Sequence, residues 1–140
     1  MAAAALPVFS EFAAPAAWRA IDFLSDLHLS DTTPRTFDAL ATHLRCTEAD
    51  AVFILGDLFE VWVGDDARHA GFEAECAAML AEASSHRFIA FMAGNRDFLV
   101  GDALLMDCGI ARLQDPTLLS AWGRQLLLTH GDALCLSDTE

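Results

Sequence analysis

The sequence predicts an α/β domain whose sheet is mainly parallel, and three observations predict it. Short apolar runs, typified by Ala51-Val52-Phe53-Ile54-Leu55, are continuous rather than alternating, as in strands buried on both faces. Between those runs lie stretches whose apolar residues recur at helical spacing. The runs also end in glycine or a chemically active side chain, as at Gly56-Asp57, where open α/β sheets bind their ligands.

Residues 1–18 are alanine-rich, interrupted by Pro7, Glu11 and Pro15, with no basic segment ahead of an apolar core. They are expected to form a flexible tail rather than a secretory signal, leaving 19–140 as the folded portion. Residues 20–24 read as the first strand, which runs into Ser25-Asp26-Leu27-His28. Pro34 stands where proline opens a helix, with Thr33 as its cap, and Phe37, Leu40, Ala41 and Leu44 form the buried stripe. Residues 51–55 are the second strand, and Gly56 lets the chain turn sharply at its end. A loop with Trp62 and Gly64-Asp65-Asp66 follows; its acids are expected to be solvated and Trp62 to pack within it. The next helix buries Phe72, Cys76, Met79, Leu80 and Ala83. Residues 88–92 form a third strand ending in Gly94-Asn95-Arg96-Asp97, and a short helix over 102–108 stops at Gly109. Residues 117–122 and 125–128 read as a hairpin about Gly123-Arg124 that delivers Thr129-His130. Right-handed crossovers join such parallel strands.

Composition narrows the function. The chain of 140 residues carries 21 acidic and 8 basic side chains, a net charge of −13, and every basic residue is arginine. Such an acidic chain is a poor candidate for unaided binding to nucleic acid or to an anionic lipid surface. Phosphate chemistry here has to borrow positive charge, and divalent metals supply it. The cysteines, Cys46, Cys76, Cys108 and Cys135, form no Cys-x-x-Cys pair. That argues against a zinc or disulfide framework and for the reduced thiols of a cytoplasmic protein. There is no Gly-x-Gly-x-x-Gly, P-loop or Gly-x-Ser-x-Gly elbow, and no run of about 18 apolar residues that would span a membrane.

The candidate ligands stand at strand ends: Asp26 and His28, then Asp57, then Asn95, then His130. Successive positions are roughly 30–40 residues apart, one βαβ unit each. Neighbouring strands lie about 4.8 Å apart, so these side chains can meet in one coordination sphere. In Asp26-x-His28 both side chains are expected to point the same way along an extended segment. Asp57, a carboxylate behind an apolar strand, needs a counter-charge and is expected to bridge two metal ions. Carboxylate, imidazole and amide oxygen together suit manganese, iron or zinc. Asp97 and Asp132 are expected to orient histidine or arginine, and His43, His69 and His86 to lie on the surface. Each residue singly has an ordinary reading as a turn or surface group; the ordered set carries the inference.

The blocks Asp26-Leu27-His28, Gly56-Asp57, Gly94-Asn95-Arg96-Asp97 and Thr129-His130-Gly131-Asp132 resemble those of calcineurin-like metallophosphoesterases. The longer wording, Leu55-Gly56-Asp57-Leu58-Phe59-Glu60 and Gly94-Asn95-Arg96-Asp97-Phe98-Leu99 above all, is similar to the UDP-2,3-diacylglucosamine diphosphatases of lipid A biosynthesis. The resemblance implies a layered α/β/β/α sandwich and cleavage of the substrate's pyrophosphate by water, giving UMP and 2,3-diacylglucosamine 1-phosphate. It implies two divalent metals, manganese first among them, with Asp26 and His28 on one, Asn95 and His130 on the other, and Asp57 bridging. Asp57, Asn95 and His130 are then catalytic, and Asn95, Arg96 and Asp138 bind substrate. It also implies peripheral attachment to the cytoplasmic face of the inner membrane.

Such enzymes carry a late Gly-His-x-His block and a helical lid that have no counterpart here. The chain is therefore expected to be the N-terminal part of one, with its second sheet largely absent and one sheet face uncovered. By itself it is expected to be inactive or nearly so. A phosphatase acting on nucleotides or phosphoproteins, or a non-catalytic remnant, remain the rival readings.

Overall fold

The structure is a computed structural model that describes residues 10–94, 96, 97 and 99–130. Two sheets pack face to face. The larger holds β2 (Ile21–Leu24), β3 (Ala51–Leu55), β4 (Phe88–Met92) and β5 (Ala111–Arg112) in that order, all parallel. Helices α1 (Pro34–Cys46), α2 (Gly71–Ser84) and α3 (Asp102–Cys108) connect its successive strands. The smaller sheet holds β1 (Ser10–Ala13), β6 (Thr117–Ala121) and β7 (Arg124–Leu128).

The side-chain alternation of β3 and β4 explains the layering. Val52, Ile54, Ile89 and Phe91 turn to one face, where Leu40 and Leu44 of α1, Cys76 and Leu80 of α2 and Leu104 and Leu105 of α3 close over them. Ala51, Phe53, Ala90 and Met92 turn to the other face, against Leu119, Ala121 and Leu128. A strand covered on both faces has no polar side, which is why these runs read as continuously apolar.

Several expectations needed correction. Residues 10–18 are not a loose tail: β1 pairs in parallel with β6, and Phe12 packs against Phe53 and Phe88 with ring centroids 5.6 and 5.3 Å apart. Trp18 joins the same cluster, 5.3 Å from Phe88. The second sheet is present as three strands, so the larger sheet is covered on both faces. The outer face of the smaller sheet is mixed, with Glu11, Ser120 and Gln125 alongside the Leu118–Leu127 pair. The hairpin turns at Trp122-Gly123, both at positive φ (54° and 75°), rather than at Gly123-Arg124. That geometry matches the twist of the strands it joins.

The helix limits follow local chemistry. Pro34 begins α1, although Thr33 gives no side-chain cap and donates its hydroxyl to the Ser30 carbonyl instead. Gly109 ends α3 in the left-handed conformation (φ 72°). Among the described residues no helix is long and apolar enough to cross a membrane.

Candidate metal centre

The carboxyl ends of β2 and β3 are laced together beyond the strands themselves. Asp26 N–H donates to the Gly56 carbonyl (3.1 Å), His28 N–H to the Asp57 carbonyl (3.0 Å) and Leu29 N–H to the Leu58 carbonyl (2.8 Å). Asp26, His28 and Asp57 all adopt positive φ, at 56°, 50° and 55°. This corrects the extended reading of Asp26-x-His28, since both residues sit in left-handed kinks. Such backbone is costly for residues other than glycine and persists where the surroundings impose it, commonly at functional sites. Here the kinks bring the side chains toward one another. One ligand atom from each of Asp26, His28 and Asp57 lies within 4.8 Å of the other two.

His130 arrives from the other sheet, just beyond β7. Its Nδ1 lies 3.0 Å from the Leu55 carbonyl, which can only accept, so Nδ1 is the donor. Nε2 then faces Asp57 Oδ2 at 3.4 Å. An imidazole lone pair and a carboxylate oxygen so placed suit a cation near both. Asp57 is only 6% exposed, and its Oδ1 accepts the Arg96 N–H at 2.9 Å.

Two glycines make room for this arrangement. A Cβ on Gly56, which has φ +92°, would stand 2.2 Å from His130 Nδ1. A Cβ on Gly94 would stand 2.5 Å from Asp57 Oδ1 and 2.6 Å from Asp57 N. Neither clash can be relieved without moving a donor.

Asp97 is wholly buried and acts on backbone rather than on a histidine or arginine, contrary to expectation. Its carboxylate accepts the N–H groups of Asp57 (3.2 Å), Phe59 (3.1 Å) and Gly94 (2.8 Å), clamping the loops after β3 and β4 together. Asp65 is likewise not simply solvated: it accepts from Trp62 Nε1 (3.0 Å), Gly101 N (2.9 Å) and Leu104 N (2.9 Å), anchoring the start of α3. Burial pushes its carboxyl up, but those hydrogen bonds, with Arg68 nearby, outweigh it and hold the group below the usual carboxylate range. Trp62 packs in the loop as expected, its ring centroid 4.6 Å from Phe59.

The structure thus brings together Asp26, His28, Asp57 and His130, and it sets the Arg96 backbone on Asp57. Asn95, Asp132 and Asp138 lie outside the described residues. His43 pairs with Asp22 (2.7 Å) and His86 with Glu82 (3.0 Å), away from this cluster. The buried thiols Cys76 and Cys108 are pushed up to about 12 and about 11, chiefly by burial, as inert structural cysteines are.

The sequence motifs give Glu60 no role of its own. Glu60 places Oε1 3.1 Å from His28 Nδ1 and Oε2 3.4 Å from the Arg96 guanidinium. The signal for it was available. Leu58 and Phe59 are both apolar and prove buried, so a turn that hides them presents Asp57 and Glu60 on its other side.

The donors fit a divalent cation. Among the described residues two carboxylates, Asp26 and Asp57, and two imidazoles, His28 and His130, come together, and Asp57 is held where water reaches it poorly.

Over 119 residues, 84% of its length, the chain is 44% identical to a UDP-2,3-diacylglucosamine hydrolase of Xanthomonas axonopodis pv. citri. The same figures hold for the protein of that name from Xanthomonas oryzae pv. oryzae, and that of Stenotrophomonas maltophilia is 42% identical over 118 residues. The match takes in 48% of each of these proteins, so the chain spans about half the length of the curated relatives it matches. No protein-family model matches the chain. The resemblance drawn from the sequence motifs holds along most of the chain.

Proposed function

We propose that this relative of the UDP-2,3-diacylglucosamine hydrolases is the metal-binding N-terminal portion of such an enzyme, with the layering of a calcineurin-like metallophosphoesterase. It would split the pyrophosphate of UDP-2,3-diacylglucosamine into UMP and 2,3-diacylglucosamine 1-phosphate. The observation that carries the reading is the convergence of Asp26, His28 and Asp57 within 4.8 Å, with His130 Nε2 3.4 Å from the same Asp57 carboxylate.

In this reading Asp26 and His28 hold one divalent ion, His130 and Asn95 hold a second, and Asp57 serves both; manganese is the first candidate. Bound ions would neutralise phosphoryl oxygens and make a water acidic enough to attack, so that no protein nucleophile is needed. The chain's own groups do the positioning. Asp97 fixes the two loops whose separation sets the distance between donors, and Leu55 holds the His130 ring with Nε2 directed at Asp57. Arg96, exposed beside Glu60, offers a planar fork to a substrate phosphate. Asp138 is assigned to the substrate by motif alone. Val61, Val63 and Leu99 stand exposed on the loops that also carry Glu60 and Arg96, which supports the approach of an acylated sugar at a membrane surface. A place at the cytoplasmic face of the inner membrane follows from the family resemblance alone.

The test has two arms. Titration of the 140-residue chain with Mn2+ should show binding that Asp57→Asn abolishes; equal binding by that variant would sink the assignment. The chain alone should release little or no UMP from the substrate. A fusion to the remaining half of the Xanthomonas axonopodis relative should release it in a manner that depends on Asp57. Turnover by the chain alone near that of a full-length relative would refute the view that the second half is required.

A further inference from the structure

We infer that Glu60 is a positioning residue that fixes the tautomer of His28 and ties it to Arg96; the inference rests on the metal reading above. Three observations carry it. The backbone of Glu60 is pinned to the segment that bears His28: Glu60 N–H donates to the Leu29 carbonyl at 2.9 Å, and Leu29 bridges to Phe59 as a parallel strand would. The Glu60 carboxylate is therefore held beside the imidazole by its own main chain.

Second, His28 Nδ1 is buried and lacks an aligned hydrogen bond among the described residues, while Glu60 Oε1 stands 3.1 Å away. The two facts are compatible, because the carboxylate is in range but off the ring's N–H direction. Rotation of the half-exposed Glu60 side chain would bring its carboxylate onto that direction. Among the described residues Glu60 is the carboxylate in range of that buried ring nitrogen. With the proton held on Nδ1, the Nε2 lone pair is left on the side of Asp26, whose Oδ1 lies 3.8 Å from Nε2. Imidazole ligands to metals are commonly oriented in this manner by a carboxylate behind them.

Third, the other carboxylate oxygen reaches Arg96 at 3.4 Å. An exposed ion pair of this kind adds little stability. Its effect is to set one side chain between a metal ligand and the guanidinium assigned to substrate phosphate, so that both are placed by the same group.

The experiment uses the 140-residue chain with 15N-labelled histidine and Mn2+ alone as the probe. At about pH 8.5, where imidazole is neutral, metal-free protein should show His28 protonated at Nδ1 in its 15N shifts. Glu60→Ala should convert that signal to a mixture of tautomers and weaken Mn2+ binding by about 10- to 100-fold. Glu60→Gln, which keeps a neutral acceptor, should restore part of both. If Glu60→Ala leaves the 15N pattern unchanged, the inference is overturned whatever the metal affinity does. If the wild-type chain binds no Mn2+ yet the tautomer still depends on Glu60, the metal reading fails while the hold of Glu60 on His28 stands.

Discussion

Asp97 shows how much one buried carboxylate can organise. Three backbone N–H groups from two loops end on it. Asp97→Asn turns an amide NH2 toward at least one of those donors, leaving a buried N–H without an acceptor and removing the charge. We expect a loss of about 2–3 kcal/mol, read from urea unfolding. Mn2+ binding should fall as well, because the Asp57 and Gly94 amides lose their common anchor. An Asp97→Asn variant as stable as wild type would show that the loops are held by their strands alone.

At the scale of the element, Asp65 joins the loop after β3 to α3. A helix of seven residues is marginal without tertiary help, and Asp65 supplies it by accepting from Gly101 and Leu104 at its start. Asp65→Ala should cost about 1–2 kcal/mol near neutral pH. The folded-state carboxyl titrates below its unfolded value of 3.8. Its contribution is therefore complete well above that value and is lost as pH falls through the lower, folded one. The stability gap between wild type and Asp65→Ala should narrow below pH 3.8; a gap that widened in acid would contradict the assignment.

For the whole molecule, the aromatic cluster between the sheets is the joint that matters. Phe53 is fully buried and makes ring contacts with Phe12, Trp18, Phe23 and Phe88, so residues 10–18 close one side of the inter-sheet core. A chain begun at Arg19 loses the β1 ladder and uncovers Phe53 and Phe88. Its melting temperature should drop by about 10 °C or more, measured by circular dichroism. An unchanged transition would mean that β1 is dispensable. The same joint bears on the site, because His130 reaches Asp57 only while the sheet that carries β7 stays docked.

The sequence by itself determined the parallel strands 51–55 and 88–92, the helix over 102–108 with its Gly109 stop, and the order of the candidate ligands along the chain. These are local matters: an apolar run, a left-handed glycine and a spacing of one crossover unit need no distant partner to be read. Only the tertiary structure decided that residues 10–13 are a strand, since their ladder lies with β6, far along the chain. It also decided that Asp97 grips backbone and that Glu60 faces His28. Asp26, His28 and Asp57 entered left-handed backbone for the same kind of reason. In each case the cause is a contact between segments that no local pattern records, and the fold imposes the conformation that the isolated residue disfavours.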